Sequence, residues 1–334
     1  MDAALVWEWI IKSLILILFL TIGFAYVTLY ERRWLARIQA RIGPNRVGKF
    51  GLLQPVSDAV KLIFKEEFTP ASADKFIFFI APIITVIPAL IILAVMPWGE
   101  PIRLFGREIE LLISDVNVGL VYMMEVTSIS VYGITLAGWS SNNKYALLGG
   151  LRATAQMISY ELALGLSFVG PAVVAGSLSL VDIVRAQQSS LWYVILQPAA
   201  FIIFFFASIA EINRSPFDMP EAEQELTAGY HAEYSGMKFA VFFMAEYIKM
   251  IAISAIGSTL FLGGFDGPFV GTFPWLGPIY LLAKIFIWVG VLIWVRATWP
   301  RLRYDRLMQL GWKILFPLAL LNVMITAIVV VLVN

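Results

Sequence analysis

Residues 13–30 read Ser13-Leu-Ile-Leu-Ile-Leu-Phe-Leu-Thr-Ile-Gly-Phe-Ala-Tyr-Val-Thr-Leu-Tyr30 and contain no Asp, Glu, Lys or Arg. As a helix rising about 1.5 Å per residue, this run is roughly 27 Å long, close to the roughly 30 Å hydrocarbon core of a bilayer. Residues 76–98, 162–181, 186–210 and 314–334 are equally free of charge. Three further segments, 112–139, 239–262 and 274–295, are nearly as apolar and carry only Asp115, Glu125, Glu246, Lys249 and Lys284. The pattern predicts an all-α polytopic membrane protein with eight transmembrane helices, forming a single membrane domain over 1–334. The first run is too long for a signal peptide, and no small-residue cleavage site follows it.

Composition supports this class and excludes others. The chain has 334 residues, of which 60% are hydrophobic and 14% charged, whereas soluble domains carry about 25% charge. Lys and Arg number 24 against 23 Asp and Glu, which leaves no basic excess to hold a nucleic-acid backbone. There is no cysteine, hence no disulfide, no thiolate-ligated iron-sulfur cluster and no covalently attached haem. Any redox centre serving this chain sits on a partner.

Basic residues between the spans set the orientation. The loops 31–75, 140–151, 212–236 and 296–311 hold 15 Lys and Arg; those on the other side, 99–111, 182–185 and 263–273, hold Arg103, Arg107 and Arg185. By the positive-inside rule the first set is cytoplasmic and both termini face outward. Within the first cytoplasmic loop, residues 52–66 place Leu52, Leu53, Val56, Ala59, Val60, Ile63 and Phe64 on one stripe, opposite Ser57, Asp58, Lys61, Lys65 and Glu66. This spacing predicts an amphipathic interfacial helix. It either rests on lipid headgroups or forms the rim of a cavity open to lipid.

Ionisable residues inside the spans carry the strongest functional signal, because a carboxylate in hydrocarbon costs at least about 2.5 kcal/mol. Glu125, Glu161 and Glu246 fall at mid-membrane depth and Glu211 closes the inner end of the fifth span. Carboxyls buried together exchange protons near neutral pH, so these residues read either as a buried proton path or as polar glue between helices. Tyr122, Tyr132, Tyr160 and Tyr247 lie beside them in sequence, where they serve as hydrogen-bond donors or as ordinary packing. Lys249 and Lys284, as nearby cations, would lower the pKa values of those same carboxyls, and the sequence leaves open whether they belong to the path.

The stretch 211–236 predicts an ordered acidic cytoplasmic loop. Asp218, Glu221, Glu223, Glu225 and Glu233 face Arg214 and the single His231, and Pro216 and Pro220 preclude a continuous helix. One histidine among acids does not specify a transition-metal site; the bland reading is a solvated loop docking on a basic partner.

The runs Glu31-Arg-Arg-Trp-Leu-Ala-Arg-Ile-Gln-Ala-Arg-Ile-Gly-Pro-Asn-Arg-Val-Gly48 and Gly51-Leu-Leu-Gln-Pro-Val-Ser-Asp-Ala-Val-Lys-Leu-Ile-Phe-Lys-Glu66, with Leu151-Arg-Ala-Thr-Ala-Gln-Met-Ile-Ser-Tyr-Glu161 and the acidic stretch Ala210 to Gly236, resemble the H-type membrane subunit of bacterial NADH-quinone oxidoreductase, respiratory complex I. The likeness spans the whole chain. It implies a membrane subunit at the junction with the hydrophilic arm that forms much of the quinone chamber. Quinone is then the substrate, entering between the first span, the amphipathic helix and the sixth span. No cofactor is bound covalently: FMN and iron-sulfur clusters belong to partner subunits, among them the terminal iron-sulfur subunit and the quinone-site hydrophilic subunit. Small membrane-arm subunits and lipid are further partners. By the resemblance, Arg32, Arg33, Ala36, Arg37, Ala40, Arg41, Arg46, Asp58, Lys61, Lys65 and Phe217 line or brace the chamber. Glu211, Asp218, Glu221, Glu223, Glu225 and Glu233 form an acidic funnel that Glu246, Glu161 and Glu125 continue toward the antiporter-like subunits.

Two other classes share some of these features. A membrane anchor of a ferredoxin-, F420- or hydrogenase-linked oxidoreductase has the same scaffold with another donor. An ion-coupled secondary transporter also uses embedded carboxylates, but no paired repeat is visible in this sequence.

Overall fold

The computed structural model describes residues 3–104, 107–219 and 229–333. Within them, seven helices are long and apolar enough to cross a membrane. Helix α1 (Ala3–Ile38) runs beyond the apolar stretch and ends where Ala40 adopts φ 53 and the Arg41 amide donates to the Ala36 carbonyl at 2.8 Å. This left-handed cap halts the helix before Gly43-Pro44-Asn45. After it, α2 (Gln54–Ile63), with Pro55 in its first turn, packs against α1 and against the helix spanning Gly236–Phe261.

Helix α3 (Lys75–Ile91) is capped by Asp74, which accepts from the Phe76 and Ile77 amides at 3.1 and 3.3 Å. A short hairpin, β1 (Ile102–Leu104) and β2 (Arg107–Ile109), then leads to α4 (Gly119–Ser140) and α5 (Lys144–Ala175). Small residues bring these helices together, as usual where lipid supplies no hydrophobic drive for association. A Cβ on Gly133 would lie 2.8 Å from the Thr85 amide nitrogen, and one on Gly138 would lie 2.7 Å from the Ala146 carbonyl.

The stretch 186–210, read from sequence as one span, is broken into α6 (Leu180–Ser189), α7 (Tyr193–Leu196) and α8 (Pro198–Glu211). Gln187 explains the break. Its side chain accepts from the Tyr193 and Gly263 amides at 3.3 and 3.0 Å and donates to the Thr259 carbonyl at 2.8 Å, so polar bonds fix a turn inside an apolar run. The 14 residues of α8 reach only about 21 Å.

Helix α9 (Gly236–Phe261) is the centre of the bundle: 67% of its apolar window is buried, against 11% for α1. Helix α10 (Leu276–Thr298), α11 (Tyr304–Gln309), a π-helical turn (Leu310–Leu315) and α12 (Phe316–Val333) complete the chain. Large side chains such as Trp7, Leu14, Leu18, Leu321 and Val331 stand exposed on α1 and α12. On a soluble protein such patches would be a liability, whereas in a bilayer they meet acyl chains.

Lys284 on α10 has a structural task. Its ammonium donates to the carbonyls of Leu262, Gly264 and Asp266 at 2.6, 2.8 and 2.7 Å, closing the C-terminal end of α9 with all three of its donors. Lys284→Met is expected to lower stability by about 2–3 kcal/mol, and thermal unfolding in mild detergent checks it.

Candidate functional site

A buried ionic network ties four distant parts of the chain together, near the C-terminal ends of α1 and α10 and in the N-terminal half of α9. Glu31, at the end of the apolar run of α1, is 3% exposed. It accepts from Arg214 Nη1 at 3.0 and 3.2 Å and from Tyr247 Oη at 2.6 Å, and it also pairs with Arg296. Arg214, 6% exposed, pairs in addition with Glu246 and lays its guanidinium over the Tyr247 ring, 4.3 Å from the centroid. Burial weighs against charge on Arg214. Glu246 and Glu31 outweigh it and raise its proton affinity well above the ordinary arginine value. Two guanidiniums and two carboxylates therefore balance, with Glu31 and Arg214 buried and Glu246 and Arg296 partly exposed.

Two further carboxylates, Glu211 and Glu161, belong to helices packed against α9. Glu211 at the end of α8 is 1% exposed, and neither of its oxygens accepts a hydrogen bond from a described residue. Its electrostatic partners are Lys249 and Glu161. Glu161 on α5 takes a hydrogen bond from Ser128 on α4. Two small voids flank Lys249: one of about 20 Å³ is shared with Glu246, the other, also about 20 Å³, with Glu211.

Glu31, Arg214, Glu246, Lys249, Glu211 and Glu161 thus form one interior series. Glu125 is not part of it, being exposed on the outer face of α4. Asp218 is partly buried beyond Arg214, while Glu233 accepts from Asn143 at 2.7 Å, at the start of α5. Glu221, Glu223 and Glu225 lie outside the described residues.

The residues expected around a quinone chamber fall into several places. Arg32 pairs with Asp58 of α2 at 2.6 Å, and Asp58 also accepts from Gln54 at 3.0 Å. Arg33 and Arg37 line a crevice of about 540 Å³ between α1 and α10, with Tyr30, Trp34, Phe286 and Trp294. Ala36 is fully buried and Phe217 is 1% exposed, its carbonyl accepting from Gln156 at 2.7 Å. A bulky residue at Ala36 therefore tests packing before it tests access. Ala40, Arg41, Arg46, Lys61 and Lys65 are exposed at the same end of the chain.

In sequence, Glu31 only heads the basic run that follows the first span, and Arg296 counts only among the basic residues that set the orientation. Their partners lie 183, 216 and 265 residues away, so no local signal joins them.

Comparison with known proteins follows the same lines. The profile of a family described as NADH dehydrogenase matches residues 11–327. The first of two H-type subunits of NADH-quinone oxidoreductase in Geobacter metallireducens is 52% identical over 314 residues, covering 94% of this chain and 93% of the relative. The second H-type subunit of the same enzyme in Geobacter sulfurreducens is 53% identical over 314 residues, with the same two coverages, 94% and 93%. This chain belongs to the family of H-type subunits of NADH-quinone oxidoreductases. Another member, from Thermomicrobium roseum, is 53% identical over 314 residues and 91% of each chain. Since this family member has no cysteine, it supplies no thiolate for an iron-sulfur cluster. Among the described residues no group of three or more His, Asp and Glu is placed to hold a metal ion.

Proposed function

We propose that this chain is the membrane subunit of a complex I at which quinone is reduced, and that its buried carboxylates couple that reduction to proton translocation. The observation that carries the reading is the ionic network of Glu31, Arg214, Glu246 and Arg296, continuous in the interior with Lys249, Glu211 and Glu161. Reduction of a quinone consumes two electrons and two protons. Negative charge arising at the inner mouth competes with Glu31 and Glu246 for the two guanidiniums, and a carboxylate that loses its guanidinium takes up a proton. The network thereby converts a redox event into proton movement along the interior series.

In this account α8 acts as the short member of eight crossings, and α2 lies at the membrane surface with Val56, Val60 and Ile63 outward. The stretch 211–236, with Asp218, Glu221, Glu223, Glu225 and Glu233, forms the acidic entry to the path. Arg32, Arg33, Ala36, Arg37, Ala40, Arg41, Arg46, Asp58, Lys61, Lys65 and Phe217 shape the quinone chamber together with the quinone-site hydrophilic subunit. The terminal iron-sulfur subunit delivers electrons, and small membrane-arm subunits receive the path on the side where Glu125 stands. Both termini face outward across a bacterial plasma membrane.

The test is isolation of the tagged chain from its native membrane in mild detergent, followed by assay of NADH-driven quinone reduction. A multi-subunit assembly whose flavin-dependent activity is stopped by a quinone-site inhibitor is expected. An assembly inert toward NADH but active with ferredoxin, F420 or hydrogen contradicts the donor assignment. A chain that purifies alone and moves solute contradicts the reading altogether.

A further inference from the structure

Lys249 sits one turn beyond Glu246 on α9, is 8% exposed, and interacts electrostatically with Glu211, Glu161 and Glu246, which belong to α8, α5 and α9. A buried ammonium is costly unless its surroundings are arranged for it. The chain's other membrane-embedded lysine shows one such arrangement, since Lys284 is fully engaged by backbone carbonyls. Lys249 has a different setting. It is shared by the two water-sized voids: in one its neighbours include Glu246, Asn213 and Thr85, in the other Glu211 and Thr127. Each void, at about 20 Å³, exceeds the roughly 10–15 Å³ that one water needs; the Glu246 void offers that water polar partners, whereas the Glu211 void is almost wholly apolar. Between Glu246 and Glu211 it is the Lys249 side chain that borders both voids.

We propose that Lys249 carries the proton from the Glu246 void to the Glu211 void, so that the path runs carboxyl, amine, carboxylate rather than along carboxyls alone. The ammonium of Lys249 gives one proton to the Glu211 carboxylate, leaving an amine and a carboxylic acid. The amine then takes a proton from protonated Glu246 through the first void, restoring the ammonium and leaving Glu246 as carboxylate. One proton has moved from Glu246 to Glu211 and Lys249 is reset. The inference rests on the carboxylate-path reading above and adds a member to it.

Arg, His and Met at this position separate a relay from a counter-charge. Arginine keeps the charge but does not release its proton, whereas an imidazole binds and releases one near neutral pH. Lys249→Arg, Lys249→His and Lys249→Met are placed in the whole complex, reconstituted in vesicles, and proton translocation is measured per assembled complex, with Glu161→Gln alongside. A relay predicts that His retains the most translocation, and that Arg and Met each fall by at least about tenfold. Full translocation by the Arg variant with a defective His variant means that Lys249 serves only as a counter-charge and overturns the inference. If Glu161→Gln is impaired in that same experiment, the carboxylate path itself stands and only the role of Lys249 falls. Full translocation by Glu161→Gln instead removes Glu161 from the path and takes the reading beneath the inference with it.

Discussion

Arg214→Ala is expected to destabilise the chain by about 3–5 kcal/mol, because it leaves one buried carboxylate without its main partner and another with only part of its own. Glu246 loses its ion pair to Arg214, and Glu31 retains Arg296 and Tyr247. The same guanidinium covers the Tyr247 ring, so truncation removes packing as well as charge. Arg214→Lys keeps the charge but not the fork that reaches Glu31 through one nitrogen and Glu246 through another, and it is expected to recover only part of the loss. Yield of assembled complex and thermal unfolding in mild detergent report the effect. An Arg214→Ala complex that assembles and unfolds like the unmodified protein would show that the network contributes nothing to the fold.

The second large effect is functional. Glu161→Gln preserves the size of the side chain and still accepts the hydrogen bond from Ser128, so stability changes by no more than about 1 kcal/mol. An amide cannot take up or release a proton at neutral pH. Proton translocation coupled to quinone reduction is therefore expected to fall by on the order of a hundredfold, while the complex forms in normal amount. Failure to assemble would favour the polar-glue reading of this residue, and normal translocation would exclude it from the path.

What could be read from sequence follows from what hydropathy measures. The apolar runs at 13–30, 76–98 and 314–334 appear in the structure as helices of the expected kind, since an uninterrupted apolar stretch has few other ways to satisfy its backbone in a bilayer. The run at 186–210 defeated that logic because Gln187 and Pro198 act individually. A window average does not register that one amide side chain ties three backbone groups. Glu161, Glu211 and Glu246 were legible because carboxylates within apolar sequence are expensive to keep. Which way a carboxylate faces was not legible: Glu125 reads like the others and stands exposed.

The network around Glu31 was the least visible part. Glu31 follows directly on an apolar run and heads a basic stretch, which reads as a helix leaving the membrane. Only the folded bundle, with the Arg214 segment and α10 brought against α1, shows that the helix is still buried at this position. Lys249 and Lys284 looked alike in sequence, each a single cation within an apolar span. The structure separates them, one held by backbone carbonyls and the other among carboxylates.

The central claim is that carboxyl groups of this chain change protonation when quinone is reduced. Infrared difference spectroscopy of the intact complex, oxidised against reduced, measures this through the carbonyl stretch of protonated carboxyls. The account predicts a difference band in that region that is lost or diminished in Glu161→Gln. A spectrum with no carboxyl band, or one that Glu161→Gln leaves unchanged, would contradict it.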